Sequence, residues 1–212
     1  MCASYGLDPR FTDSDGVLGE DAQVIDDLRL WAERNEGETL LPTGKNLRNL
    51  NPIIRGAGSA RTCELAWWGY LVQGAPARFP SINTRSERLR DRSGRPPERA
   101  IVPATSWFEM QKPQRQWFSF APGALDLFAM AAVTQPGRTA DGAEYTCYSI
   151  VMRPATPALA HIHDRMPLLL PADAIDDWNT GAASAADLVD GALAASEEVL
   201  AAVRAVEISA RP

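Results

Sequence analysis

Apolar positions change their spacing along this chain, from a helical period near the start to strand-like runs from Cys63 onward. Val24, Ile25, Leu28 and Trp31 share one face at helical spacing, with acids opposite, which predicts an amphipathic helix over residues 20–35. Residues 37–59, rich in Gly, Asn and Pro, are expected to be loop. A dense apolar and aromatic run at 63–72 has strand length and is broken at 74–80. Residues 81–90 suggest a short strand entering a helix, followed by a Gly/Pro-bearing connection at 91–97. Residues 100–109 suggest strand, turn and strand, with Pro103 at a bend or bulge. Two further strands are expected at 116–120 and 125–134, joined by a turn at Pro122 and Gly123.

Another β-prone run covers 145–152 and is interrupted by Pro154 and Pro157. A short helical turn is expected at 156–161 and a strand at 165–170. Residues 172–179 and parts of 182–193 read as helical. A separate helix at 196–202 would be capped by Ser196, with Glu197 and Glu198 in its first turn. Residues 203–209 alternate like an edge strand. Short strands with scattered helices and no βαβ rhythm give an α+β fold rich in antiparallel strands, expected as one domain over residues 1–212. No internal repeat, P-loop, dinucleotide fingerprint or zinc motif is visible.

Composition adds bounds. At 212 residues and 45% apolar, the chain can bury a sizeable core without disulfides or metal. The three cysteines, Cys2, Cys63 and Cys147, are too scattered for a disulfide framework and suit a reducing compartment. No apolar run has bilayer-spanning length and the N-terminus lacks signal-peptide character, so a cytoplasmic protein is expected. The net charge of −6 argues against non-specific coating of nucleic acid. Its distribution is uneven: acids dominate the early chain, whereas Arg78, Arg85, Arg88, Arg90, Arg92, Arg95 and Arg99 crowd the middle. That asymmetry is compatible with a local basic groove and equally with a solvated arginine-rich loop.

Cys2 is the first candidate for chemistry. Its small side chain permits removal of Met1, which would leave an α-amine and a thiol on one residue. An aldehyde condenses with the amine to an imine, and the thiol then closes a five-membered thiazolidine; no internal cysteine can do this. The ordinary reading is a mobile terminus that happens to carry Cys. Glu109 follows Trp107 and Phe108, where desolvation would raise its pKa for acid–base work, unless it is simply an exposed strand-end residue. His161 and His163 are the only histidines. Their spacing would put both on one side of a strand, but no third zinc ligand stands at a recognised spacing, and one of them as a proton shuttle is more economical. Trp67, Trp68, Trp107, Trp117 and Phe118 are stacking candidates among aromatics that are mostly core. Asn83 and Arg85, two apart beside a Gly/Pro-rich break, suit a phosphate and a sugar or base edge.

In order and spacing, several blocks jointly resemble the SOS response-associated peptidase (SRAP) family over nearly the whole chain. They are Met1-Cys2, Trp-Trp-Gly at 67–69, Ile-Asn-Thr-Arg-Ser-Glu at 82–87, Ala-Ile-Val-Pro-Ala-Thr-Ser-Trp-Phe-Glu at 100–109, Leu-Phe-Ala-Met at 127–130 and Ile-His-Asp-Arg-Met-Pro at 162–167. The resemblance implies a β-rich domain of antiparallel, barrel-like sheets with flanking helices and a positive cleft for single-stranded DNA. It implies Cys2 as the N-terminus after loss of Met1, by self-cleavage or by an aminopeptidase, forming a thiazolidine with an abasic site. Glu109 matches the family's catalytic glutamate, and His163, directly before Asp-Arg-Met-Pro, its active-site histidine. Asn83 and Arg85 match residues that hold DNA, and Trp68 and Arg165 join them as expected DNA contacts. No metal or organic cofactor is implied. The expected partner of a monomeric protein is single-stranded DNA containing abasic sites, with no membrane. The chain departs from the pattern at Ala3 and Ser4, where the family usually has Gly-Arg, and at residues 70–74, where a Pro-x-Trp is missing.

Three rival functions remain open at this level. One is a thiol hydrolase or peptidase acting in trans, using Cys2 or Cys63 with His163 and Glu109. The others are a non-catalytic single-stranded DNA-binding protein and an interaction domain that binds no DNA.

Overall fold

A computed structural model describes residues 2, 4–19, 22–35, 50–72, 75–76, 81–138 and 141–210. The short strand β1 (Tyr5–Gly6) is followed by helix α1 (Ala22–Arg34), whose Val24, Leu28 and Ala32 are buried. Strands β2 (Leu50–Arg55) and β3 (Thr62–Trp68) form an antiparallel pair. A small hairpin, β4 (Leu71–Val72) with β5 (Ala75–Pro76), leads toward β6 (Asn83–Arg85) and helix α2 (Ser86–Arg90). Then come β7 (Glu98–Ala104), β8 (Ser106–Gln111), β9 (Gln116–Ala121), β10 (Phe128–Arg138) and β11 (Glu144–Pro154). Strands β12 (Arg165–Pro167) and β13 (Leu169–Leu170), helices α3 (Ile175–Thr180) and α4 (Ala185–Ala202), and strand β14 (Arg204–Ile208) complete the chain.

Strands β11, β3, β2, β7 and β10 pair in turn, and β10 pairs back onto β11, so five strands close a barrel. All contacts around the ring are antiparallel except β3 with β11, which is parallel. Closure leaves both faces of β7, β10 and β11 covered over most of their length. Ala100, Val102, Met130, Ala132, Tyr148 and Ile150 belong to one buried cluster, and their neighbours Ile101, Ala131, Val133 and Val151 to a second. The second cluster also takes Leu28 from α1, Trp178 from α3 and Val189 from α4, so it is the outer wall under the helices, and the first is the lumen. Double-sided burial explains why these strands read as continuous apolar runs rather than alternating ones.

A second sheet, in the order β1-β8-β9-β14, carries the β8–β9 hairpin between the first and last strands. Tyr5 lies opposite Trp107, and Gly6 opposite Ser106. A Cβ at Gly6 would stand 2.6 Å from Ser106 Oγ, so a larger residue there would make the Ser106 hydroxyl turn away. The α+β class with antiparallel, barrel-forming sheets is thus as expected.

Several local expectations are corrected. Strand β2 lies within 37–59, the segment expected to be loop; residues 36–49 are outside the described residues. Asn51 and Pro52 looked like loop residues, but both are buried in the barrel wall. Ser196 does not start a helix. It is buried in the middle of α4, whose cap is Ser184, accepting from the Asp187 backbone N–H. Pro103 makes no break, since the β7–β10 register runs evenly from Phe128 opposite Ala104 to Thr134 opposite Glu98. Strand β10 begins at Phe128 and runs on to Arg138, past the expected end. His161 and His163 share no strand: they flank the end of a turn before β12. Among the described residues no helix is long and apolar enough to cross a membrane.

Candidate active site

The N-terminal strand brings Cys2 into the core. Backbone bonds from Phe108 N–H to the Ser4 carbonyl (3.1 Å) and from Thr105 N–H to the Gly6 carbonyl (2.8 Å) hold this segment against β8. Cys2 is wholly buried among lumen residues, and its thiol lies 3.5 Å from the Ser4 carbonyl, to which it donates. Asn83 Nδ2 donates to the Cys2 carbonyl at 2.7 Å. Asn83 sits on β6, paired in parallel with β11 at Ile150, so the barrel fixes the donor that grips Cys2.

Glu109 enters from the neighbouring sheet. It lies mid-strand in β8, opposite Phe118, rather than at a strand end, and is only 5% exposed. Burial pushes its carboxyl up from 4.5 to about 7, so near neutral pH both protonation states are well populated. Burial also pushes the Cys2 thiol far above its ordinary value, and the Glu109 charge adds to that shift. The sulfur is therefore a neutral thiol that needs a base before it can react.

His163 closes the group. Its Nε2 is 3.9 Å from a Glu109 carboxylate oxygen. The Arg165 backbone N–H donates to His163 Nδ1 at 3.0 Å, and the Asp164 carboxylate lies 3.1 Å from the same nitrogen. Nδ1 also lies 3.2 Å from the Arg165 carbonyl, so it accepts from that N–H in one tautomer and donates to that carbonyl in the other; Nε2 is the nitrogen nearer Glu109 in both. Desolvation by burial, and after it the positive N-terminal amine, hold the imidazole below its ordinary pKa. The loop is tied to the β8–β9 hairpin by Gln111, whose Nε2 donates to the His161 carbonyl at 2.8 Å. His161 itself is exposed.

The DNA-contact candidates separate. Arg85 is exposed and pairs with no acidic side chain among the described residues, as do Arg88 and Arg92. Arg78 is outside the described residues. Arg90 is engaged by Asp190, and Arg99 donates to the carbonyls of Pro97, Trp178 and Gly181. Arg165 is also engaged: its Nη1 donates to both Glu87 carboxylate oxygens, at 2.6 and 2.8 Å. Trp68 is corrected from stacking platform to core. It is 1% exposed, stacks on Tyr148 with centroids 6.2 Å apart, and donates its indole N–H to the Ile82 carbonyl at 3.0 Å. Trp107 is likewise enclosed, stacked on Phe120, while Trp67, Trp117 and Phe118 are half-buried.

Sequence reasoning missed the hydroxyl chain behind Cys2. Tyr5 and Tyr148 share a hydrogen bond of 2.8 Å between their hydroxyls, and Asn51 Nδ2 donates to Tyr148 Oη at 3.0 Å. All three side chains are fully buried. Only the polar end of Tyr5 in an otherwise apolar setting could have hinted at it. Among the described residues no group of three or more His, Cys, Asp or Glu side chains could hold a metal ion.

Relatives agree with this architecture. Residues 32–210 match the SOS response associated peptidase (SRAP) family; Cys2 lies upstream of that stretch. The chain is 30% identical over 193 residues to the Abasic site processing protein YobE of Bacillus subtilis, spanning 84% of this chain and 81% of that one. The same identity and length hold for the Abasic site processing protein YoqW of Bacillus phage SPbeta, with 84% and 80% covered. A solved structure from Bacteroides thetaiotaomicron superposes with a TM-score of 0.67 at 15% identity, covering 98% of this chain and 92% of that one. One from Bordetella bronchiseptica gives 0.65 at 17%, covering 99% and 100%. The chain belongs to the SRAP family.

Proposed function

We propose that this protein captures abasic sites in single-stranded DNA by forming a thiazolidine on Cys2 once Met1 has been removed. The observation that carries the reading is the meeting of a buried Cys2, gripped through its carbonyl by Asn83, with a proton-exchanging Glu109 and with His163 across from that carboxylate. The names of the relatives, abasic site processing proteins, point to the same substrate class.

While Met1 is attached, the Cys2 nitrogen is an amide and cannot condense with an aldehyde, so that form is the precursor. After its removal, His163 Nε2–H assists opening of the cyclic sugar to its aldehyde. The Cys2 amine adds to the carbonyl carbon, and water leaves to give the imine. The Cys2 sulfur then adds to the imine carbon; Glu109 takes the thiol proton and returns it to nitrogen. One water is released overall and no redox partner is needed. Arg85, which pairs with no acidic side chain among the described residues, would hold a neighbouring phosphate.

A thiol hydrolase would instead need a thiolate at neutral pH. Both candidate thiols are shifted the other way, Cys2 by burial and Cys63 by burial to about 11. The direct experiment mixes Met-free protein with abasic single-stranded DNA and reads mass spectra and denaturing gels. A heat-stable adduct one water lighter than the sum of its parts, absent in Cys2→Ala, is expected. No adduct, or an undiminished one in Cys2→Ala, overturns the proposal.

A further inference from the structure

Two arms of the site meet at β11, with which both β6 and β12 pair. One is β6, which continues directly into α2 and carries Asn83, the residue gripping Cys2. The other is the turn before β12, which carries His163. A side-chain contact that spans them is Arg165 on Glu87: Glu87 stands in the first turn of α2, four residues after Asn83, and Arg165 two residues after His163. Arg165 is also the residue whose backbone N–H holds His163 Nδ1, so guanidinium and imidazole are both fixed by one residue. Arg165 is 18% exposed and Glu87 47%, a setting in which an ion pair contributes little to global stability.

We propose that Glu87 is a positioning residue: through Arg165 it braces the His163 turn against the Asn83 arm, so that the imidazole stays opposite Glu109. Arg165 is then a strut within the site, acting through Nη1. Glu87 touches neither Cys2 nor the expected lesion; it acts through Arg165. The consequence for the covalent reaction rests on the proposed function above, but the brace itself does not.

The test compares the parent with Glu87→Gln, the conservative Glu87→Asp, and the charge-swapped double variant Glu87→Arg with Arg165→Glu. Two readouts are taken: the NMR titration of the His163 ring, and binding and single-turnover reaction with abasic single-stranded DNA. In Glu87→Gln the His163 titration is expected to move toward the ordinary histidine value, reflecting a ring released to solvent, with Glu109, Asp164 and Lys112 still facing it. Adduct formation is expected to slow at least about tenfold while DNA affinity stays within about twofold, with recovery in the swapped pair. An unmoved His163 titration in well-folded Glu87→Gln overturns the brace, as does a defect wholly in affinity. If Glu87→Gln fails to fold, Glu87→Asp and the swapped pair carry the same two readouts. If the parent forms no adduct, the covalent reading fails, and the His163 titration alone still decides the brace.

Discussion

Two buried charged side chains divide the molecule into a part that is held and a part that is poised. Arg61 is 7% exposed and fully engaged: it donates to Asp176 from Nε and Nη2 at 3.0 and 2.8 Å, and to the Val17 carbonyl from Nη1 at 2.9 Å. Glu109 is 5% exposed, and desolvation pushes its carboxyl up to about 7. Equal burial thus serves opposite ends. Where donors meet acceptors at contact distance, the charge fastens the early loop to α3. At Glu109 enclosure instead raises the carboxyl, and the group keeps a proton it can exchange.

The sharpest way to break this contrast is Glu109→Gln. The adduct rate is expected to fall roughly 10²–10⁴-fold with little change in DNA affinity, measured in single-turnover gels. A near-normal rate would put Glu109 in the same class as Arg61. Next in size is Asp176→Ala, which leaves the Arg61 guanidinium enclosed without its counter-charge. A loss of about 3–4 kcal/mol in urea unfolding is expected, with the adduct rate unaltered.

The pH dependence of stability gives a third contrast. The Glu109 carboxyl holds its proton up to about 7 in the folded chain but only to 4.5 when unfolded. Its contribution is complete below 4.5 and is lost as pH rises through about 7, because the native state then houses a desolvated charge. Glu109→Gln is therefore expected to match the parent in melting at pH 4 and to exceed it at pH 8, by on the order of 2–3 kcal/mol. A gap that opens instead at low pH would contradict the assigned shift. The smallest effect is at the surface. Arg85→Ala is expected to weaken single-stranded DNA binding several-fold and to flatten its salt dependence by roughly 0.7 in the log–log slope, read by fluorescence anisotropy.

The sequence carried the strands whose apolar residues dominate, such as β7 and β11, because double-sided burial leaves a pattern of its own. It failed at β2, where Asn51 and Pro52 imitate loop composition but are buried in the barrel wall beside Ile53 and Ile54. It failed again at α4, where Ser196 resembles a cap only if the alanine-rich residues before it are discounted. Within the site, Cys2, Glu109, His163 and Asn83 were legible from their motifs and do lie together. Trp68 was misread because aromatic identity says nothing about which face of a strand it occupies. The ion pair of Arg165 with Glu87 joins residues 78 positions apart, a distance no local pattern reports.

Tyr5 has a further consequence as a peg. Its register with Trp107 and its hydroxyl bond to Tyr148 fix the chain three residues past Cys2. The leader is thus a tether of set length, and one inserted residue would slide the sulfur by roughly 3.3 Å, one strand step. That is close to the whole gap between imidazole and carboxylate. The number of residues between Cys2 and Tyr5 is therefore as constrained as those two side chains.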